Sequence, residues 1–104
     1  MAILQRLPVD GAVLASFCVQ WKIVKLEMFG SMLVEQNGAR DVDLLVTFSP
    51  NANWGLFEHA RIQDELSEIL GRPVDLVSRR AIEKSTNALR RAAILNSAVP
   101  IYVA

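Results

Sequence analysis

The sequence predicts a single α/β domain. Its 104 residues suit one compact unit, because a chain of this size buries roughly two-thirds of its unfolded surface around one core. Apolar residues switch repeatedly between the spacing of helices and the alternation of strands. No internal repeat, low-complexity tract or Pro/Gly/Ser-rich linker divides the chain, so residues 1–104 read as one domain.

The elements follow in order. Asp10 is placed to cap a first helix whose apolar stripe is Leu14, Phe17, Cys18 and Trp21. Lys25 to Phe29 alternates as a strand and is stopped by Gly30-Ser31, the first loop that could serve chemistry. Val42 to Phe48 is the most apolar run and reads as a second strand. There Val42, Leu44, Val46 and Phe48 share one face, and Asp41, Asp43, Leu45 and Thr47 share the other. After a turn at Pro50, the residues Ile62, Leu66, Ile69 and Leu70 mark one side of a helix ending at Gly71. Val74 to Val77 is a short third strand interrupted by Asp75, and one helical region is expected from about Ala81 to Asn96. Val99 to Val103 closes the chain, with Pro100 suited only to a sheet edge.

Composition excludes several classes. Eleven basic and eleven acidic side chains balance, so no broad field draws the protein to nucleic acid or an anionic membrane, and neither is expected as a partner. No apolar stretch is long enough to span a bilayer and the first residues lack a signal-peptide core, which makes the cytoplasm the expected location. Cys18 is the single cysteine, which rules out an internal disulfide and a multi-thiolate zinc site. The apolar fraction of 52% slightly exceeds that of ordinary soluble domains, a hint of a surface that another chain covers in a homo- or hetero-oligomer.

Chemistry is concentrated in carboxylates. The Asp41-Val42-Asp43 pair projects two acids from one strand face, where their repulsion calls for a cation. Magnesium is the natural candidate, since it takes one or two protein carboxylates and completes its shell with water and phosphate oxygens. Alone, such a pair is also compatible with a strand cap and a solvated acid. Two further features shift the balance. Gly30-Ser31 at a strand end offers backbone N–H groups and a hydroxyl to a phosphate. Asp75 sits in an otherwise apolar strand, where a carboxylate calls for a partner.

The segments Leu26-Glu-Met-Phe-Gly-Ser31, Asp41-Val-Asp-Leu-Leu-Val46 and Gly71-Arg-Pro-Val-Asp-Leu-Val77 together resemble the minimal nucleotidyltransferase family of the DNA polymerase β superfamily. Trp54-Gly-Leu-Phe57, Asp64-Glu-Leu66 and Ala98-Val-Pro-Ile-Tyr102 are also similar to family members, so the likeness covers nearly the whole chain. The resemblance implies a small mixed β-sheet flanked by helices, ATP as substrate, magnesium as cofactor, and transfer of a nucleotide to a hydroxyl. It implies that Asp41, Asp43 and Asp75 are the catalytic metal ligands, with Asp75 favouring deprotonation of the acceptor, and that Gly30 and Ser31 hold the β and γ phosphates. It further implies the antitoxin of a HEPN ribonuclease toxin, transferring AMP to a hydroxyl of that partner.

The chain departs from the family pattern between Val34 and Arg40. Where an Arg and a Gly commonly follow Gly-Ser, and a Ser precedes the first Asp, this sequence has Val34, Glu35 and Arg40. An antitoxin that has lost catalysis and acts by covering its toxin is the alternative reading. His59 is expected to be solvated, Cys18 to be a core thiol, and Trp21, Trp54 and Phe57 to be packing residues. The pairs Arg79-Arg80 and Arg90-Arg91 are expected to be solvated or to complement a helix dipole.

Overall fold

A computed structural model describes residues 10–30 and 41–104. Four strands, β1 (Ile23–Phe29), β2 (Val42–Phe48), β3 (Val74–Ser78) and β4 (Val99–Val103), form one sheet in the order β3-β2-β1-β4. β1 pairs antiparallel with β2 and β4, whereas β2 and β3 are parallel, so the sheet is mixed. The helices are α1 (Gly11–Gln20), α2 (Leu56–Leu70), α3 (Arg79–Glu83) and α4 (Ala88–Ser97). No helix of the described residues is long and apolar enough to cross a membrane.

Local chemistry sets the boundaries. The Asp10 carboxylate accepts from the Ala12 N–H at 2.8 Å and starts α1. Gly71 ends α2 in the left-handed conformation at φ 69°, which a residue without Cβ adopts at little steric cost. The helical region expected from Ala81 to Asn96 is two helices. α3 already begins at Arg79 and is capped by the Ser78 hydroxyl, and the Asn87 side chain accepts from the Arg90 N–H to begin α4 afresh. The polar run Lys84-Ser-Thr-Asn87 separates them, supplying side chains that compete with the backbone for hydrogen bonds.

Each sheet face has its own core. Leu26, Met28, Val42, Leu44 and Val46 pack with Leu14, Phe17 and Cys18 of α1 and with Ile62, Leu66 and Leu70 of α2. On the opposite face, Phe29 and Leu45 pack with Ile82 of α3 and Ile94 of α4. Ile23 and Leu26 belong to the same cluster despite their odd spacing, because a bulge between Ile23 and Lys25 resets the alternation. Cys18 is fully buried, and burial pushes its thiol pKa up to about 12. Pro100 lies on β4, an edge strand as its missing N–H requires.

The outer edge of β3 is satisfied by α2. Side chains four residues apart along this helix stand in a row. Ser67 Oγ accepts from the Val74 N–H at 3.0 Å, Gln63 Oε1 accepts from the Leu76 N–H at 2.9 Å, and His59 Nε2 donates to the Leu76 carbonyl at 2.7 Å. His59 is therefore half-buried and bonded, contrary to the solvated role expected of it. A sequence reading does not show that an imidazole will find a strand carbonyl 17 residues away.

Glu27, only 4% exposed, is the one charged residue among the buried ones described. Arg79 Nη1 binds its Oε1 at 2.5 Å and Lys25 Nζ lies 3.6 Å from Oε2. Burial disfavours the Arg79 charge, but hydrogen bonds and attraction from Glu27 and Glu83 outweigh it and hold its pKa above the ordinary arginine value. Arg79 is thus not the solvated residue that its position at a helix end suggests. Replacing one member of a buried pair leaves the other charge uncompensated. Arg79→Ala is expected to lower unfolding stability by about 3 kcal/mol in urea titrations, and Lys84→Ala, at an exposed position nearby, by less than about 0.5 kcal/mol.

Candidate active site

The end of the sheet where β1 finishes and β2 and β3 begin carries the acids. Asp43 stands opposite Phe29 of β1 on one side and opposite Asp75 of β3 on the other. Neighbouring positions in a parallel pair project to the same face with the strands roughly 4.8 Å apart. Three segments far apart in sequence therefore meet here: the β1 end with Gly30, the β2 start with Asp41 and Asp43, and the β3 start with Asp75. The face is the one lined further along by Leu45 and Val77, the side of α3 and α4.

Electrostatics link the three carboxylates through Asp43. Its pKa is raised above the ordinary aspartate value, first by burial and then by the negative charges of Asp75 and Asp41. Asp41 and Asp75 are exposed. This environment disfavours the ionised form of Asp43 unless a cation is near. Among the described residues, no group of three or more His, Cys, Asp or Glu side chains is placed to hold a metal ion, and Asp41, Asp43 and Asp75 do not meet as a three-ligand set. Magnesium requires no such cage, since water and phosphate oxygens fill most of its shell. The donor set suits it: hard oxygen ligands, two of them side by side on neighbouring strands, with the exposed Asp41 adjacent in sequence.

Gly30 adopts φ 81° and lies directly against Asp43. A Cβ there would run into Asp43 Oδ2 and approach its Cγ to 3.2 Å, so the carboxylate occupies space that any other residue would fill. Glycine at this point serves the acid as well as the backbone turn. Ser31 and the departures at Val34, Glu35 and Arg40 lie outside the described residues.

Elsewhere the expectations divide. Trp21 is buried and meets Trp54 edge to face at 5.4 Å, while Trp54 Nε1 donates to the Trp21 carbonyl at 2.7 Å. Phe57, expected to pack, is 91% exposed beside Leu56 at 90%. Both precede the buried stripe of α2 that begins at Ile62, so helical rotation turns them outward. Arg91 donates to the Ser85 carbonyl at 2.5 Å and helps close the α3–α4 connection, whereas Arg90 is exposed.

Comparisons with known proteins agree with this fold. A family model described as a nucleotidyltransferase domain matches residues 12–101, and the chain belongs to that family. A solved structure assigned as a minimal nucleotidyltransferase is 33% identical, with a TM-score of 0.64 and 88% of each chain covered. The chain is thus a minimal nucleotidyltransferase by family, with the expected mixed sheet and flanking helices. The same fold occurs in a toxin-antitoxin structure with AMP-PNP, at 16% identity and a TM-score of 0.67, covering 92% of this chain and 75% of that one. An MntA-HepT toxin-antitoxin structure shares it at 14% identity and a TM-score of 0.59, covering 90% and 70%. No curated protein sequence matches the chain.

Two outcomes follow from the crowding of Asp43. Gly30→Ala both strains a positive φ and displaces the carboxylate. It is expected to destabilise the fold by about 1–2 kcal/mol in denaturant titrations and to weaken magnesium-dependent ATP binding measured by calorimetry. Asp43→Asn removes a charge that the fold disfavours, so in metal-free buffer near neutral pH its Tm should exceed the parent's. The sign with pH is fixed by the raised pKa: the folded state binds the Asp43 proton more readily than the unfolded state, so acid relieves the penalty. The advantage of Asn should therefore shrink as pH falls through the raised value.

Proposed function

We propose that this chain is a magnesium-dependent nucleotidyltransferase that moves AMP from ATP to a hydroxyl of a partner protein, acting in the cytoplasm as the antitoxin of a HEPN ribonuclease toxin. The observation that carries the reading is the register of Asp43 beside Asp75, with Gly30 folded against Asp43. Membership of the nucleotidyltransferase-domain family and a shared fold with toxin-antitoxin structures, one holding AMP-PNP, support it.

In this reading Asp41, Asp43 and Asp75 hold the metal, and Gly30 and Ser31 receive the β and γ phosphates. Magnesium held there would supply charge neutralisation at the phosphates and would lower the pKa of a bound hydroxyl. The acceptor oxygen attacks the α-phosphorus, the bond to the bridging oxygen of the β-phosphate breaks, and pyrophosphate leaves. Asp75, exposed at the rim, receives the acceptor proton and passes it to solvent. The protein's contribution is mainly position: the strand register fixes the acids, so little reorganisation is needed at the moment of transfer.

The exposed pair Leu56 and Phe57 favours a partner surface under a second reading as well, in which the chain neutralises its toxin by covering it. Incubation with a HEPN protein, magnesium and α-labelled ATP separates the two. Label on the partner from the parent, lost by at least about a hundredfold in Asp43→Ala, is the expected result. A stable complex without label and without magnesium-dependent ATP binding would favour the covering antitoxin, and neither label nor complex would defeat both.

A further inference from the structure

A groove of about 1180 Å³ opens at the end of the sheet remote from the aspartates. Thr47, on its floor, lies four residues beyond Asp43 along β2, roughly 13 Å at about 3.3 Å per residue. Among the described strand and groove residues, the two ends differ in charge. Where Asp41, Asp43 and Asp75 crowd one, Lys25, Arg79, Arg80 and Lys84 line the other against a single lining acid, Glu83.

These cations are not equivalent. Lys25 and Arg79 are held by Glu27, and Arg79 also binds Glu83 at 3.1 Å. Arg80 and Lys84 make no ion pair among the described residues, and both are exposed. Arg80 lies in the last turn of α3 and Lys84 is its C-cap four residues on, so the two cations stand on one side of the helix end. A second observation points the same way: Thr47 is one of the residues that line the groove, and its Oγ1 is buried with no hydrogen-bond partner among the described residues. A hydroxyl excluded from water is costly to leave unpaired. Across the groove Trp54 and Leu56 provide an apolar wall.

We infer that this groove is a second binding site, separate from the aspartates, for a nucleoside di- or triphosphate. Arg80 and Lys84 take adjacent phosphate groups, since Cβ atoms at this helical spacing lie roughly 5–6 Å apart and both long side chains can converge on one chain of phosphates. The Thr47 hydroxyl, closed off from water in the free protein, donates to the anion only once its side chain rotates about χ1 toward the groove, and the nucleoside rests on Trp54 and Leu56. No divalent ion is needed, because the protein itself supplies the neutralising charge. Binding here therefore does not depend on whether the aspartate end transfers AMP.

Calorimetry in EDTA, with pyrophosphate and ADP as the two probes, tests the site without metal, partner or turnover. Both probes are expected to bind the parent, ADP the more tightly because of the apolar wall. Arg80→Ala combined with Lys84→Ala should weaken both by at least about tenfold, while Asp43→Asn and the charge-matched Arg61→Ala with Arg90→Ala should leave them unchanged. No binding by the parent, equal binding by the Arg80/Lys84 variant, or an equal loss in the charge-matched variant would overturn the site. ADP binding no tighter than pyrophosphate would overturn its assignment to a nucleotide.

Discussion

The parallel register of β2 and β3 is the constraint on which the remainder of the site depends. It sets Asp43 level with Asp75, and no local property of either strand would bring two carboxylates together. The sheet does so because Val42, Leu44, Val74 and Leu76 must all face α1 and α2 to be buried. Given that requirement, the intervening positions face the other way and the acids share that side. Apolar burial thus overrides electrostatic repulsion, and the raised pKa of Asp43 is the mark left by the conflict. Such a conflict is typical of places where a fold holds charge ready for a ligand.

Two devices keep that register from slipping. The row of Ser67, Gln63 and His59 on α2 occupies the outer N–H and C=O groups of β3. A short edge strand that would otherwise offer open groups to another chain is covered. On the opposite face, Glu27 of β1 reaches across to Arg79, the first residue after β3. That ion pair spans β2 and ties the outer strand to the centre of the sheet. A glutamate in this position is an expensive choice for stability alone, since an apolar pair would hold the strands as well; what the charge adds is a fixed direction for Arg79 at the start of α3.

The molecule is neutral as a whole yet divided along its strands. Acids gather where β2 and β3 begin, and cations gather where they end. With equal numbers of each sign the total charge conceals this division, so a partner or substrate meets local fields rather than a global one. Anionic ligands at the acidic end need a cation as intermediary, whereas at the other end the side chains suffice. The exposed Leu56 and Phe57 lie beside the basic groove rather than beside the aspartates, so apolar contact and metal chemistry need not compete for one surface.

Much of this was legible in the residues. Strand β2 was bounded by its own alternation, α2 by its stripe and by Gly71, and Asp10 announced α1, because these signals are local and each is read within a few positions. Motif likeness also pointed to the family, since Gly30, the Asp41-Asp43 pair and Asp75 occur at informative separations. Local signals failed where the partner was distant. The half-buried His59, the exposed Phe57 and the ion pair between residues 27 and 79 were decided by which helix face met which strand edge. The break between α3 and α4 lay in between: Asn87 is a visible cap, but a continuous helix competes with it until Ile82 and Ile94 are seen to pack on one sheet face. Sequence alone therefore determined most of the elements and marked the acids that are candidates for the site. Only the tertiary structure decided that Asp43 would stand between Gly30 and Asp75, because side-by-side placement is a property of strand order, which periodicity does not encode.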